Sequence, residues 1–257
     1  MGIALDAKFV GSVNDPITEY FPQYASSGKG AIRIRDLLTM RSGLDADDNV
    51  ASPLPGNENA LDASNDLVDF VFSLPITATP ETVYRYASVN AFLVGSIIAN
   101  AGGVALDQFA ARRLFGPLGI TEFRWRHAPN DRVTGEGNLW ITTRDLAALG
   151  QLVLDRGMVS GQQIVSSDWI KASLAPKVAI GKVDPYADSY GYMWYSRELK
   201  VGSHAIEIFF ASGNGGNKIY VIPSLDMVVG ITSSAYNTRY GQRRSQDALL
   251  QILAASN

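Results

Sequence analysis

Acyl transfer, metal-assisted hydrolysis and phosphoryl transfer each need a recognisable spacing of side chains. One Ser-x-x-Lys occurs in the sequence, Ser26-Ser-Gly-Lys29. On a helix that spacing puts both side chains on one face, where the amine can take the proton of an attacking hydroxyl. Here the motif follows an Asp-Pro turn, is flanked by glycine, and has no apolar residues at helical spacing after it. The serine–lysine geometry is not expected to be held, and the motif reads as a decoy. The two histidines, His127 and His204, are isolated, and His204 reads as a surface residue at a strand start. No Gly-x-Ser-x-Gly elbow, phosphate-cradling Gly-x-x-x-x-Gly-Lys loop or His-Glu-x-x-His metal pair is present. No cofactor or metal is implied.

Composition narrows the classes further. The chain has 257 residues, 46% hydrophobic and 18% charged, enough for one large or two intertwined domains. The net charge of −3 argues against nucleic acid or an anionic membrane as partner. With no cysteine, disulfides, thiolate metal sites and a cysteine nucleophile are excluded. No apolar run approaches a membrane span, and Asp6 and Lys8 interrupt any signal-peptide core. A soluble protein without a signal peptide is expected, and the sequence leaves its compartment, bacterial cytoplasm or periplasm, open. The first eight residues lack an N-cap and read either as the tail of a helix or as a frayed start.

The positioning elements follow from periodicity and punctuation. Helices are expected over Ile34–Met40, Ser64–Leu74, Ser88–Ala101, Leu106–Leu114, from Thr142 to about Asp155, Ser166–Leu174 and Arg244–Ala255. Thr142-Thr-Arg-Asp145 is a capping box. Residues 45 to 59 are polar and rich in Asp, Asn and Pro, and read as a loop. After Ser189 the texture changes to short β-branched and aromatic runs, at Tyr190–Tyr195, Ala205–Phe210, Lys218–Ile222 and Met227–Thr232. The Pro223-Ser-Leu-Asp226 turn joins the last two as a hairpin. The layout is α+β, with a mainly helical region over 1–185 and an antiparallel sheet with a closing helix over 186–257.

Three ordered segments resemble the serine β-lactamase-like family, which takes in class C β-lactamases, penicillin-binding proteins, family VIII esterases and 6-aminohexanoate-dimer hydrolases. The first is Asp15-Pro-Ile-Thr-Glu-Tyr-Phe-Pro22 with Ile32-Arg-Ile-Arg-Asp-Leu-Leu-Thr-Met-Arg-Ser-Gly-Leu44. The second is Tyr86-Ala-Ser-Val-Asn90 running into Leu93-Val-Gly95. The third is Ala211-Ser-Gly-Asn-Gly-Gly-Asn217, leading into Tyr220-Val-Ile-Pro223. Gly137-Asn-Leu-Trp-Ile-Thr-Thr-Arg-Asp-Leu146, between them, is similar too.

The resemblance implies a β-lactamase/DD-peptidase-like fold acting by serine acyl transfer on a small-molecule ester or amide. It implies Tyr86 as proton-transfer partner and the Asn214 N–H as one oxyanion donor. Ser88, Ser212 and Gly213 would contact substrate. Trp140, Tyr190 and Trp194 are candidate cleft walls, although aromatic packing explains each as well. Ala211 stands where many relatives have the lysine of a Lys-Thr-Gly strand, which points away from a penicillinase and toward an esterase or amidase. The family's own Ser-x-x-Lys lies upstream of the Asp-Pro segment, so the N-terminal strands and nucleophile helix are expected to be missing from this chain. Little or no activity follows, with a homodimer covering the open face. The alternatives are a non-catalytic binding protein or fragment that requires a partner, and a hydrolase using another serine such as Ser26 or Ser88.

Overall fold

The computed structural model describes residues 1–49, 55–128, 131–202, 204–238 and 240–256. They pack as two compact units, Met1–Trp140 and Ile141–Asn257. The change of texture after residue 185 falls inside the second unit. The expected loop over 45–59 includes residues 50–54, which lie outside the described residues.

The first unit is built around one buried helix. Its helices are α1 (Gly2–Asp6), α2 (Ile34–Leu38), α3 (Glu58–Asp62), α4 (Leu67–Ser73), α5 (Ser88–Gly102) and α6 (Leu106–Ala110). Helix α5 is apolar on nearly every side, and its residues from Ser88 to Ile98 are buried except Ala91. A helix apolar all round belongs inside a core. It stops where Gly103 takes the left-handed conformation (φ 63°), which costs glycine no side-chain clash. Helix α4 starts at Asp66, whose carboxylate accepts from the Val68 and Asp69 amides at 2.9 and 3.1 Å. Phe72 from α4 packs on Phe21 at 5.2 Å and stacks on Tyr24 at 4.1 Å. Strands β1 (Arg124–Trp125) and β2 (Leu139–Trp140) pair antiparallel. No single helix among the described residues is long and apolar enough to cross a membrane.

The second unit begins with α7 (Thr143–Leu154), opened by the expected capping box: Thr142 Oγ1 accepts from the Asp145 N–H at 3.1 Å. A small hairpin of β3 (Met158–Val159) and β4 (Gln162–Gln163) follows, then α8 (Ser167–Leu174). The sheet itself runs β5 (Val178–Ala179), β6 (Ser189–Tyr190), β7 (Tyr195–Val201), β8 (His204–Gly213), β9 (Asn217–Ile222) and β10 (Met227–Ile231). All neighbours are antiparallel and the spatial order is the chain order. Helix α9 (Tyr240–Ala255) closes the chain.

One expected strand is corrected. Tyr190–Tyr195 is not one strand: Tyr190 ends β6, Tyr195 begins β7, and residues 191–194 are the tight connection between them, closed by Gly191 N–H donating to Trp194 O at 2.7 Å, with Met193 at φ 61°. The strand starts where the aromatic run ends. Its charged residues at 197, 198 and 200 hide the alternation that the pairing with β8 imposes.

Alternation also fixes which helix meets which side chain. A methyl at Gly150 of α7 would lie 2.6 Å from both Ile219 and Val228, so α7 lies against the Ile219 and Val221 face of the sheet. Lys218 and Tyr220 take the other face, where they line a cavity with Gln242, Gln246 and Leu249 of α9. Glycine at 150 is therefore a packing requirement. Gly150→Ala gains about 1 kcal/mol of helix propensity yet is expected to lower stability by about 1–3 kcal/mol through overpacking. The urea-denaturation midpoint checks the sign.

Candidate functional site

In the first unit one carboxylate organises the residues singled out by sequence. Asp48 accepts from the Ser88 backbone N–H at 2.6 Å, from Ser88 Oγ at 2.8 Å and from the Glu58 N–H at 2.9 Å. Its own N–H donates to Tyr86 O at 2.8 Å. Ser88 and Glu58 are the first residues of α5 and α3, so two helix N-termini converge on one anion. Both leave amides without intrahelical partners and both carry positive partial charge, which is why an aspartate suits the position. Burial nevertheless pushes the Asp48 carboxyl above its ordinary value, against the hydrogen bonds that favour its anion.

Tyr86 precedes α5 and sits in a negative field. Burial, and then the charges of Asp48 and Glu58, push its hydroxyl up to about 12. A tyrosine that moves protons at neutral pH needs the opposite influence, a nearby cation. Ser88 is buried, and its hydroxyl proton is committed to Asp48.

Close by in charge, though not in sequence, is Glu136. Its side chain is fully buried, with neither oxygen hydrogen-bonded to another described group. Arg126 lies 3.8 Å away but is itself paired with Asp62. Burial pushes Glu136 up to about 7, and Asp62 and Glu58 add to the rise. Among the described residues no cluster of His, Asp and Glu is arranged to hold a metal ion. Ser26 and Lys29 occupy a turn closed at Gly28 (φ 78°), with Ser26 exposed and Lys29 buried. Burial lowers the Lys29 amine, yet the two side chains do not share a helix face.

In the second unit the residues from 211 to 214 end β8 and enter a tight turn. Ala211 and Gly213 lie on the α7 face, and Phe210 and Ser212 on the α9 face. Gly215 and Gly216 have φ of 81° and 92°, and a methyl on Gly216 would lie 2.3 Å from Gly241 O. The turn is held from three sides. Gln242 Nε2 donates to Gly213 O at 2.8 Å, Ser245 Oγ to Gly216 O at 2.5 Å, and Asn214 and Asn237 exchange two hydrogen bonds at 2.9 and 3.1 Å. Because the peptide is trans, a Gly213 carbonyl aimed at α9 leaves the Asn214 N–H pointing away from α9.

Ser212 faces α9, where its Oγ donates to Gln242 Oε1 at 3.1 Å and accepts from Lys218 Nζ at 2.7 Å. Sequence reasoning missed Lys218. The signal was present, since folding the chain at the Gly213–Asn217 turn sets residue 218 opposite 212. It also missed Asp48, which looked like one acidic residue among several in a polar loop. Of the aromatic wall candidates, Tyr190 is core, edge-on to Tyr195 at 4.7 Å, Trp194 is half-buried and Trp140 is exposed. His204 is exposed at the start of β8.

The two-unit α+β architecture is that of the β-lactamase and penicillin-binding-protein class. A penicillin-binding protein homologue from Caulobacter crescentus superposes with a TM-score of 0.74 at 18% identity, covering 100% of this chain and 79% of that one. A class C β-lactamase from Rhodobacter sphaeroides gives 0.70 at 14% identity, covering 98% and 81%. In sequence, the 6-aminohexanoate-dimer hydrolase of Paenarthrobacter ureafaciens is 24% identical over 242 residues, 85% of this chain and 59% of that protein. The family model described as Beta-lactamase matches residues 10–255, and the chain belongs to that serine hydrolase family. It spans 48 to 59% of the length of the curated relatives it matches.

Glu136 gives a signed pH test. A carboxyl raised from 4.5 to about 7 on folding keeps its proton in the native state while the unfolded chain loses it. Native stability therefore falls as pH rises from 4.5 through 7, by a few kcal/mol at about 1.4 kcal/mol per pKa unit. Glu136→Gln is expected to be near neutral at pH 5 and stabilising at pH 8, read by urea denaturation at both.

Proposed function

We propose that this chain carries the proton-relay and oxyanion parts of a serine acyl-transfer site for small esters or amides. Tyr86 is the relay, the Asn214 N–H one oxyanion donor, and Gly213 the small residue that lets an acyl group approach the strand. Ser88 acts by fixing the start of α5 through Asp48. Ser212 acts on substrate only indirectly, through the strand end. Family membership supports the reaction class, and the Asn214 N–H, which points away from α9, supports the oxyanion role. Ala211 in place of a lysine favours an ester or amide without the carboxylate of a β-lactam.

The observation that carries the reading is the negative field at Tyr86. A phenol pushed up to about 12 by burial, and then by Asp48 and Glu58, relays protons only when a cation stands against it, and the serine–lysine spacing in the chain, Ser26–Lys29, is in a turn. The 257-residue chain by itself therefore has little or no turnover, since removing the nucleophile of such a site costs on the order of 10⁶ in rate. A non-catalytic ligand-binding role is the second reading, favoured by the same field.

Labelling with a fluorophosphonate followed by peptide mass mapping tests this. The expected result is no label on Ser26 or Ser88 and ester hydrolysis at the buffer rate. Stoichiometric label on either serine, lost on its replacement by alanine, contradicts the assignment.

A further inference from the structure

Lys218 is almost completely buried, 3% exposed, on the α9 face of the sheet. Among the described residues no ion pair includes it. An ammonium has three N–H donors and no acceptor. One goes to Ser212 Oγ at 2.7 Å, and the charge lies 4.7 Å from the centre of the Phe210 ring. Neither contact neutralises it. Burying an unpaired charge is among the most expensive events in a protein interior.

Beside the amine is a cavity of about 20 Å³. Its polar lining besides Lys218 is Arg197, Tyr186 and Tyr220 from the sheet side and Gln242 and Gln246 from α9. Two cations, two phenols and two amides surround it, with no carboxylate in its wall. The exposed Arg243–Asp247 pair of α9 is not part of that lining. Asp184 is the one acidic group that acts on Lys218, and it only partly offsets the burial that lowers the amine to about 8. A space of this size holds one water-sized guest.

We propose that the cavity between Lys218, Arg197 and α9 is a binding site for one small monovalent anion, a halide or a carboxylate group. The guest supplies the counter-charge that the fold omits, and the Arg197 guanidinium, anchored by its bond to Pro185 O at 2.8 Å, faces it from the second side. The site lies on the sheet face opposite Ala211 and Gly213, so it stands or falls independently of the acyl-transfer reading. Because the anion needs the protonated amine, binding is present below about pH 8 and is lost as pH rises above the anion-bound pKa of Lys218.

Chloride-35 NMR line width reads the site without reference to enzymatic activity. The full chain at pH 7 is expected to broaden the chloride line, formate to narrow it again by competition, and the excess width to disappear by pH 10. Lys218→Met and Arg197→Met, each checked by thermal melting, should lose the excess width. Arg197→Met keeps the test decisive if Lys218→Met does not fold. Butyrate competing as well as formate assigns the site to the carboxylate tail of a larger molecule, and formate alone assigns it to a free ion. No excess broadening, broadening that formate does not relieve, or excess width retained in both variants overturns the proposal.

Discussion

The first unit turns on a single carboxylate. Asp48 caps α5 and α3 at once and fixes the backbone of Tyr86. A helix start inside a core leaves donors that water cannot reach, so some acceptor must be supplied. Here the acceptor comes from forty residues upstream of Ser88. The arrangement sets where Tyr86 stands and also what it can do. Burial raises the phenol most, the anion that satisfies the helix ends adds to the rise, and Glu58, held by the same carboxylate, raises it further. Structural necessity at α5 thus places Tyr86 in a negative field.

The second unit solves a different problem, how to hold a glycine-rich strand end in one geometry. Small residues at 213, 215 and 216 permit close approach and the two positive φ angles, but they supply no side chains to hold the turn. The holding is done from outside, by Gln242, Ser245 and Asn237. Gln242 links two tasks: its amide nitrogen fixes the Gly213 carbonyl, and its oxygen receives the Ser212 hydroxyl that Lys218 supports. A buried amine is thus linked by three hydrogen bonds, through Ser212 and Gln242, to the carbonyl of the Gly213–Asn214 peptide.

The parts that were legible in the sequence were local. The α5 run stopped by glycine, the Thr142–Asp145 box and the Pro223–Asp226 turn each carry their signal within a few residues, and the structure places all three as read. The order of motifs made the family legible as well. Long-range pairing was not visible. Asp48 is distinguished from Asp45 and Asp47 only by folding back onto α5, and Lys218 only by the register of β8 on β9. Strand β7 was hidden because three charged residues on a sheet look like a loop until their partners in β8 are known. The expected Tyr190–Tyr195 strand failed for the converse reason: aromatic residues suit a strand, but Gly191 and the φ of Met193 turn the chain.

The most direct measurement is the ionisation of Tyr86 in the native chain, followed by NMR of tyrosine labelled at the Cζ carbon, with the resonance assigned by its loss in Tyr86→Phe. A midpoint of about 12, lowered in Glu58→Gln yet kept above the ordinary value of about 10 by burial and Asp48, is the result that this environment requires. A midpoint below 10 in the unaltered chain would mean that a cation already serves the phenol, and would contradict the account.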